Sequence, residues 1–334
     1  MYDYYLPFKL TLYQSQASQE ILDYLLNKED VLLDAVCGAG KTEIVLETIK
    51  TYLNIGLIIG FACPRKVLLC DLFIRISQYF KSDKFGLVYG DKSYQPQAQL
   101  VFLTTHQLYK YKKTFDLLII DEIDAFPYCD NFKLENDAAL SSKQFLYISA
   151  TVPSKYYQTK IKHVKLYHRH HLKVLPIPEI INVHQGRMYY ELLKLLKTSK
   201  DPYLVFCQSK KQTLSIHRLL KLFRIKSINV DSTNMSVDKL DLFKEGKIKV
   251  MVSTTVLERG ITLKGLNVIV MNAENRLYTK SVLVQIAGRV GRDYQVTTGL
   301  IIYLCNRVTN DIKDSIDEIK MINHKIIDLN NVNS

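Results

Sequence analysis

The segment at positions 35–42, Ala-Val-Cys-Gly-Ala-Gly-Lys-Thr, restricts the possible folds more than any other part of the chain. It follows an apolar segment, 31–34, that is typical of a buried strand, and it precedes residues 43–50, whose apolar side chains recur at helical spacing. A strand, a glycine-containing loop and a helix in this order are typical of a phosphate-binding loop. Gly38 and Gly40 let backbone N–H groups turn toward an anion at the start of the helix.

The same loop predicts a site for phosphate groups and a divalent cation. The ammonium group of Lys41 would reach the β- and γ-phosphates of a nucleotide, and the hydroxyl group of Thr42 would ligate Mg²⁺. The residues of the loop that are predicted to bind the cofactor are Gly38, Ala39, Gly40, Lys41 and Thr42. The alternative is a glycine-rich turn that binds nothing, and the flanking strand and helix argue against it.

Two adjacent carboxylates end the apolar segment 115–120. Asp121 is expected to hold Mg²⁺, directly or through water, and Glu122 could polarise the attacking water. A later apolar segment ends in Ser149-Ala-Thr151, whose hydroxyl groups could hydrogen-bond to the metal-site carboxylates. These two residues would then link the state of the nucleotide to the domain interface. Ordinary solvated strand ends are the alternative, which the upstream loop disfavours.

The composition indicates a soluble globular protein with an excess of positive charge. The 334 residues include 45 Lys and Arg against 33 Asp and Glu, a net charge of +12 that suits a polyanionic partner such as nucleic acid. A lysine-rich surface without such a partner is the alternative. The longest apolar run, 55–63, is too short to span a bilayer, and no signal peptide is recognised at the start.

The six cysteines do not form a Cys-x-x-Cys pair, and most of them lie in or beside apolar runs. We therefore expect reduced thiols in a cytoplasmic protein, without a zinc site or disulfide framework.

Alternating apolar strands and helical segments predict an α/β fold with mainly parallel sheets flanked by helices. A basic, histidine-rich stretch, 163–178, interrupts this alternation and ends in Pro-Ile-Pro. We place a linker at 176–180, between a first lobe at 1–175 and a second at 181–334. Three histidines in the stretch have no metal-ligand spacing that we recognise, and a solvated or anion-facing segment is expected instead. They are His168, His170 and His171.

The second half contains two polar segments, one after a predicted strand and one on a predicted helix. Residues 254–262 follow the strand predicted at 248–253. The segment 285–292, Gln-Ile-Ala-Gly-Arg-Val-Gly-Arg, is predicted to be helical, with Arg289 and Arg292 on one side and able to reach across a cleft.

Together these segments resemble the core of a superfamily 2 helicase, in the same order and over nearly the whole chain. Within that superfamily, Asp121-Glu-Ile-Asp-Ala-Phe-Pro-Tyr128 is similar to the competence ComFA-type proteins, which are ATPases of bacterial DNA uptake. The segments Thr104-Thr-His-Gln107, Leu257-Glu-Arg-Gly260 and 285–292 fit that type too. The resemblance implies two tandem RecA-like lobes that hydrolyse ATP with Mg²⁺ in the cleft between them, while moving single-stranded DNA.

The resemblance also assigns site residues. Gln14, which follows an aromatic residue, resembles the element that reads adenine, although Gln16 and Gln19 compete with it and an ordinary surface role is open. The implied catalytic residues of the ATP site are Lys41, Asp121, Glu122, Gln285, Arg289 and Arg292, with Thr42 and Asp121 as metal ligands and Gly260 as a further cofactor-binding residue. The residues expected along the DNA strand are Pro64, Arg65, Thr104, Thr105, His106, Gln208, Ser209, Thr254 and Thr255.

One departure concerns zinc. Proteins of the ComFA type usually carry an N-terminal four-cysteine module, and here the chain begins almost at the glutamine element, so we expect a short variant or a truncated product without zinc. Other competence proteins at the inner face of the membrane are candidate partners. Two alternative functions stay open: another superfamily 2 DNA or RNA helicase, in replication restart or repair, and a nucleotide-switched binding module without motor activity.

Overall fold

The protein was analysed as a computed structural model that describes residues 1–169, 171, 173–199, 201–231, 237–254, 264–291 and 298–332. The chain divides into two compact units, Met1–His170 and His171–Ser334. The residues predicted as a linker, 176–180, follow this division and include the first two residues of a strand of the second unit. None of the helices among the described residues is both long and apolar enough to cross a bilayer.

The first unit is built on a sheet that is parallel except at one edge. Among its described residues, eight strands pair in the order β4-β3-β5-β2-β6-β7-β1-β8, and only β4 runs antiparallel to its neighbour. The strands are β1 (Val31–Ala35), β2 (Ile59–Cys63), β3 (Gly86–Tyr89), β4 (Lys92–Tyr94), β5 (Leu100–Thr104), β6 (Leu117–Asp121), β7 (Phe145–Ser149) and β8 (Lys162–Leu166). Strands β2 and β5 are buried along their whole length, as expected of central strands covered on both faces.

Helices surround this sheet. They are α1 (Leu12–Leu26), α2 (Lys41–Ile44), α3 (Leu46–Asn54), α4 (Lys66–Phe80) and α5 (Phe132–Ser141), with 3₁₀ turns at Thr105–Lys110 and Ser154–Gln158. Helix α1 begins with a capping box, in which the Thr11 hydroxyl accepts from the Gln14 N–H and the Gln14 side chain accepts from the Thr11 N–H. One part of the core packs Leu32, Leu118 and Ile120 against Leu134 and Ala138 of α5.

The second unit has a sheet of six parallel strands among its described residues, in the order β11-β12-β10-β13-β14-β9. The strands are β9 (Glu179–Asn182), β10 (Tyr203–Phe206), β11 (Ser227–Val230), β12 (Val250–Ser253), β13 (Asn267–Met271) and β14 (Ile301–Cys305). The helices are α6 (Gln185–Thr198), α7 (Lys210–Leu222), α8 (Val237–Lys244), α9 (Lys280–Ala287) and α10 (Asn310–Val332). The predicted α/β class with two mainly parallel sheets is therefore confirmed.

Two local predictions need correction. The stretch 163–178 was expected to be solvated or anion-facing, but its first residues lie in β8, which pairs with β1, and His168 is only 3% exposed, so the solvated alternative is wrong for that residue. The helix predicted at 285–292 ends earlier, because α9 stops at Ala287 and Gly288 caps it. Arg289 therefore lies in the turn that follows the helix.

Candidate functional site

Three neighbouring strands of the first unit bring the predicted nucleotide-binding residues to one edge of the sheet. Strands β6, β7 and β1 are adjacent and parallel, so their carboxyl ends lie side by side. Asp121 ends β6, Ser149 ends β7, and the glycine loop follows β1. In open α/β sheets, ligands bind outside the carboxyl ends of the strands. The topology thus places these three segments where a nucleotide site would be expected.

The glycine loop has the backbone shape that a phosphate cradle needs. Gly38 and Gly40 have φ angles of +86° and +79°, a region that residues with a Cβ rarely adopt. Helix α2 begins directly after Gly40, so its first N–H groups face the loop. The ammonium group of Lys41 donates a hydrogen bond of 3.0 Å to the carbonyl of Ala35. The lysine is therefore folded back onto the loop.

Gln14 is the glutamine that lies against this loop. Its Nε2 donates to the carbonyl of Ala39 at 2.8 Å, its Oε1 accepts from the Thr11 N–H at 2.9 Å, and the residue is 3% exposed. A Cβ atom at Gly40 would lie 2.5 Å from Nε2, so a side chain at this position would displace the Gln14 amide. The competing glutamines, Gln16 and Gln19, are exposed.

The hydroxyl group expected to bind the metal is held by an arginine of α4. Thr42 Oγ1 accepts from Arg75 Nη2 at 2.9 Å, and Arg75 Nη1 lies 3.6 Å from Glu43 Oε1. The Tyr79 hydroxyl donates to the same Glu43 oxygen at 3.2 Å. Burial and the negative charge of Glu43 raise the pKa of Tyr79 to about 12, so the phenol remains a donor at neutral pH. Sequence reasoning missed Arg75, because nothing in its spacing connects it to the loop.

The carboxylate segment after β6 shows a strained backbone and an unpredicted hydrogen-bond acceptor. Glu122 has φ of +63°, and its N–H donates to the carbonyl of Ile148 at 2.9 Å. Ser149 Oγ and Thr151 Oγ1 donate to the two oxygens of Asp124, at 2.8 and 2.7 Å. The hydroxyls were expected to bind the metal-site carboxylates, and Asp124 had not been singled out. In the sequence, the only indication of a role for Asp124 is its position three residues after Asp121.

The chain leaving β8 also packs against the glycine loop. Arg169 is 1% exposed, and its Nε donates to the carbonyl of Cys37 at 3.2 Å. Its side chain would lie 3.6 Å from a Cβ atom at Gly38. The ring of His168 stacks on Tyr13 of α1, with 3.9 Å between ring centroids and 5° between planes. These contacts explain why His168 and Arg169 are buried, because β8 brings them to the edge of the sheet where the loop lies.

The donors at this edge fit a magnesium nucleotide. The positive φ angles of the two glycines allow the loop to turn N–H groups toward an anion, and Lys41 supplies a positive charge beside the loop. Thr42 and Asp121 offer hydroxyl and carboxylate oxygens, the hard ligands that Mg²⁺ prefers. The residues present are therefore those that an ATP and Mg²⁺ site requires.

The predicted nucleic-acid contacts of the first unit follow β2 and β5, which lie on the other side of β6. Pro64 is buried, and Arg65 is half-buried at the cap of α4. His106 is exposed, whereas Thr104 is 7% exposed and Thr105 is fully buried. The hydroxyl of Thr105 is thus inside the unit, and Arg65 and His106 are the candidates that reach the surface.

In the second unit, three more candidates follow neighbouring strands, β10 and β12. Ser209 caps α7 by accepting from the Gln212 N–H at 3.2 Å. Gln208 Oε1 accepts a hydrogen bond from Asn275 Nδ2, and Thr254 is half-buried directly after β12. Parallel pairing of the strands brings Gln208, Ser209 and Thr254 to one edge of the sheet.

The candidates for ATP hydrolysis in the second unit are buried. Gln285 lies on α9 and is 5% exposed, and Arg289 is 2% exposed in the following turn. The backbone N–H of Arg289 donates to the carbonyl of Ile286 at 3.0 Å. The remaining predicted residues, Thr255, Gly260 and Arg292, lie outside the residues that the structure describes, as does His170.

Comparisons with known proteins find similarity over both units of the chain. The family model described as type III restriction enzyme, res subunit, matches residues 7–154, and the helicase conserved C-terminal domain matches residues 187–294. Competence protein ComFA of Streptococcus pneumoniae is 32% identical over 94% of this chain and 77% of its own length. Competence protein ComFA of Bacillus subtilis is 30% identical over 94% of this chain and 72% of its own.

Solved structures resemble the chain in fold. S. cerevisiae Dbp5 bound to RNA and ADP BeF3 matches with a TM-score of 0.69 and 18% identity, over 92% of this chain and 87% of that one. At this level of identity the match concerns the fold, which is that of tandem RecA-like helicase lobes.

Proposed function

The chain belongs to the family of ComFA competence proteins, which are ATPases with superfamily 2 helicase domains, and on that premise we propose that it moves single-stranded DNA during bacterial DNA uptake. ATP hydrolysis drives this movement in the proposal. The substrate and the coupling of hydrolysis to movement are the parts that go beyond the family assignment.

The observation that carries the proposal is the order of strands β5-β2-β6-β7-β1 in the first unit. The nucleotide residues follow β6, β7 and β1. Two nucleic-acid candidates, the half-buried Arg65 and the exposed His106, follow β2 and β5 at the same edge. Because β2 and β6 are neighbours, the segment after β6 lies one strand away from the proposed DNA contact after β2, and a shift of that segment would act close to the DNA. One edge of the sheet can therefore bind both ATP and single-stranded DNA.

In the nucleotide-bound state, Lys41 would leave the Ala35 carbonyl and place its ammonium group on the phosphates. Glu122 would orient the attacking water from its strained position at the end of β6. Mg²⁺, when bound, neutralises charge that develops on the phosphate oxygens during transfer. We further propose that Gln285 and Arg289 of the second unit act on the same nucleotide, so that hydrolysis requires both units.

Asp124 is the element that would relay the state of the nucleotide. It follows the Asp121-Glu122 pair by two residues and accepts the hydroxyls of Ser149 and Thr151 at the end of β7. A displacement of the carboxylate segment would therefore move the segment after β7. Thr151 also donates its N–H to Ser149 Oγ, which makes the two hydroxyl residues move together.

The grip on DNA would be electrostatic and insensitive to sequence. Arg65 and His106, with the exposed Lys66 at the start of α4, can contact backbone phosphates. Phosphate contacts position a strand without reading its bases, and they weaken as salt displaces them. The proposal therefore includes strong salt dependence and little sequence preference.

The decisive experiment is an ATPase assay with single-stranded DNA, duplex DNA and RNA at several salt concentrations. The proposal expects single-stranded DNA to stimulate hydrolysis most, and the stimulation to fall as salt rises. Stronger stimulation by RNA would instead favour an RNA helicase, and hydrolysis unaffected by any nucleic acid would favour a nucleotide-switched module. The variant Lys41→Ala controls for contaminating ATPases, because it removes the phosphate-binding ammonium group.

A second experiment tests movement itself. A fluorophore at one end of single-stranded DNA would report arrival of the protein, with a time that grows with strand length when ATP is present. An arrival time that does not depend on strand length would overturn translocation while leaving the ATPase intact.

A further inference from the structure

The contact between Arg75 and Thr42 joins a helix that carries no predicted nucleotide residue to the hydroxyl expected to ligate the metal. Arg75 Nη2 donates to Thr42 Oγ1 at 2.9 Å, and Thr42 is 9% exposed. The contact is internal to the first unit, and it brings a permanent positive charge to a metal-binding oxygen.

The geometry does not suit simultaneous binding of the arginine and a divalent cation. A hydroxyl oxygen has two acceptor positions, and Arg75 uses one of them. A magnesium ion held at the other position would bring a second positive charge close to the guanidinium group, and like charges repel each other. The hydrogen bond also draws electron density from the oxygen that would bind the metal.

We propose that Arg75 is a positioning residue that acts as a cationic placeholder for magnesium: it holds the Thr42 hydroxyl until metal and nucleotide arrive, and thereby sets the magnesium concentration needed for ATP to bind. This inference rests on the proposed assignment of the loop as the ATP site. It concerns when Thr42 becomes available, and not the chemistry of hydrolysis.

Glu43 provides the position to which Arg75 would withdraw. Its Oε1 is 3.6 Å from Arg75 Nη1, so a small movement would change a loose ion pair into a direct hydrogen bond. Within the part of the chain that the structure describes, Arg75 Nε is buried without a hydrogen-bond partner. If the Arg75 side chain turned toward Glu43, its Nε would gain a hydrogen-bond acceptor as well. Because Tyr79 already donates to Glu43, the carboxylate is held in place to receive the arginine.

The experiment measures binding of a fluorescent ATP analogue while the magnesium concentration is varied, without nucleic acid. Arg75→Met removes the charge and the donors while it keeps much of the side-chain volume. We expect the magnesium concentration at half-saturation to fall about 10-fold, with binding in the presence of EDTA changed by less than a factor of about two. Formation of the magnesium complex in solution is the same for all variants, so it cancels in the comparison.

Two further variants distinguish the placeholder from a structural brace. Glu43→Gln removes the position for withdrawal, so it should raise the magnesium midpoint, opposite to Arg75→Met. Arg75→Lys keeps the charge and should stay close to the unmodified protein. Arg218→Met is the matched control, since Arg218 is an exposed arginine on α7 of the second unit. It should leave the midpoint unchanged.

The outcomes separate the inference from the assignment of the site. If the unmodified protein binds the analogue and Arg75→Met leaves the midpoint unchanged or raises it, the placeholder is refuted and the ATP site stands. If the unmodified protein fails to bind the analogue at any magnesium concentration, the assignment of the loop itself fails. Thermal unfolding of each variant identifies loss of binding that is due to loss of folding.

Discussion

Replacing Asp124 by asparagine tests whether this carboxylate relays the nucleotide state. The two oxygens of Asp124 accept from Ser149 Oγ at 2.8 Å and from Thr151 Oγ1 at 2.7 Å. An amide of the same shape keeps one acceptor and replaces the other with a donor. Because the hydroxyl on that side donates toward residue 124, it would meet another donor and must turn its own hydrogen away, so its bond to the charged carboxylate is lost.

The magnitude follows from the number of bonds lost. A hydrogen bond to a charged group contributes about 1.5–3 kcal/mol, so Asp124→Asn should lower the free energy of unfolding by about that amount. Asp124→Ala removes both acceptors and should cost more, but less than twice as much, because bonds within one network are not additive. If the same bond couples nucleotide to DNA, its loss should reduce DNA stimulation of hydrolysis by about 10–100-fold.

The matched control is Asp116→Asn, at the other end of the same strand. Asp116 also accepts two hydrogen bonds, from Lys143 Nζ at 2.7 Å and from the Ile58 N–H at 3.0 Å, but it lies just before β6. Urea unfolding of the full chain gives the stability, and ATPase assays with and without single-stranded DNA give the stimulation. Asp124→Asn should lose stimulation while Asp116→Asn keeps it. Equal stimulation in the two variants would refute the relay.

Four further outcomes are expected. Lys41→Ala should reduce ATP hydrolysis about 10²–10³-fold, as checked by phosphate release, because a charge that stabilises the transition state is lost. Glu122→Gln should bind ATP with unchanged affinity in a filter assay and hydrolyse it about 10²–10⁴-fold more slowly, and normal turnover would exclude a role as base. Arg289→Ala should bind ATP yet lose DNA-stimulated turnover about 10³-fold or more. Partial burial raises the pKa of Asp116, but the Ile58 N–H and the Lys143 ammonium group outweigh it and lower that pKa below its ordinary value. The resulting stabilisation is present above about pH 4 and is lost as pH falls through the folded pKa. The stability difference between Asp116→Asn and the unmodified protein should therefore shrink in acid unfolding curves.

The predictions that held rest on residues close together in sequence. The glycine loop, the strand before it and the helix after it form one continuous segment, so their pattern contains the whole local structure. The same is true of Asp121 at the end of β6, because a run of apolar residues followed by acids marks both the strand and its end. The α/β class followed from repeating such segments along the chain.

The parts that sequence reasoning missed depend on which strands are neighbours. Strand β8 was hidden in a basic stretch, because its side chains Lys162, His163 and Lys165 do not form an apolar run. Only its pairing with β1 brings Arg169 to the glycine loop. Arg75 likewise reaches Thr42 across 33 positions of sequence, which no local pattern reports.

The burial of two arginines changes how the net positive charge should be interpreted. A net charge of +12 was interpreted as an attraction to nucleic acid, yet Arg169 and Arg289 are among the largest fully buried side chains of the described residues. A buried arginine releases no counterions from DNA, so it adds nothing to the salt dependence of binding. The slope of the logarithm of DNA affinity against the logarithm of salt concentration should therefore depend on surface cations such as Arg65 and Lys66. Removing one of those should lower the slope by about one unit, whereas net charge alone would predict the same small effect for every arginine.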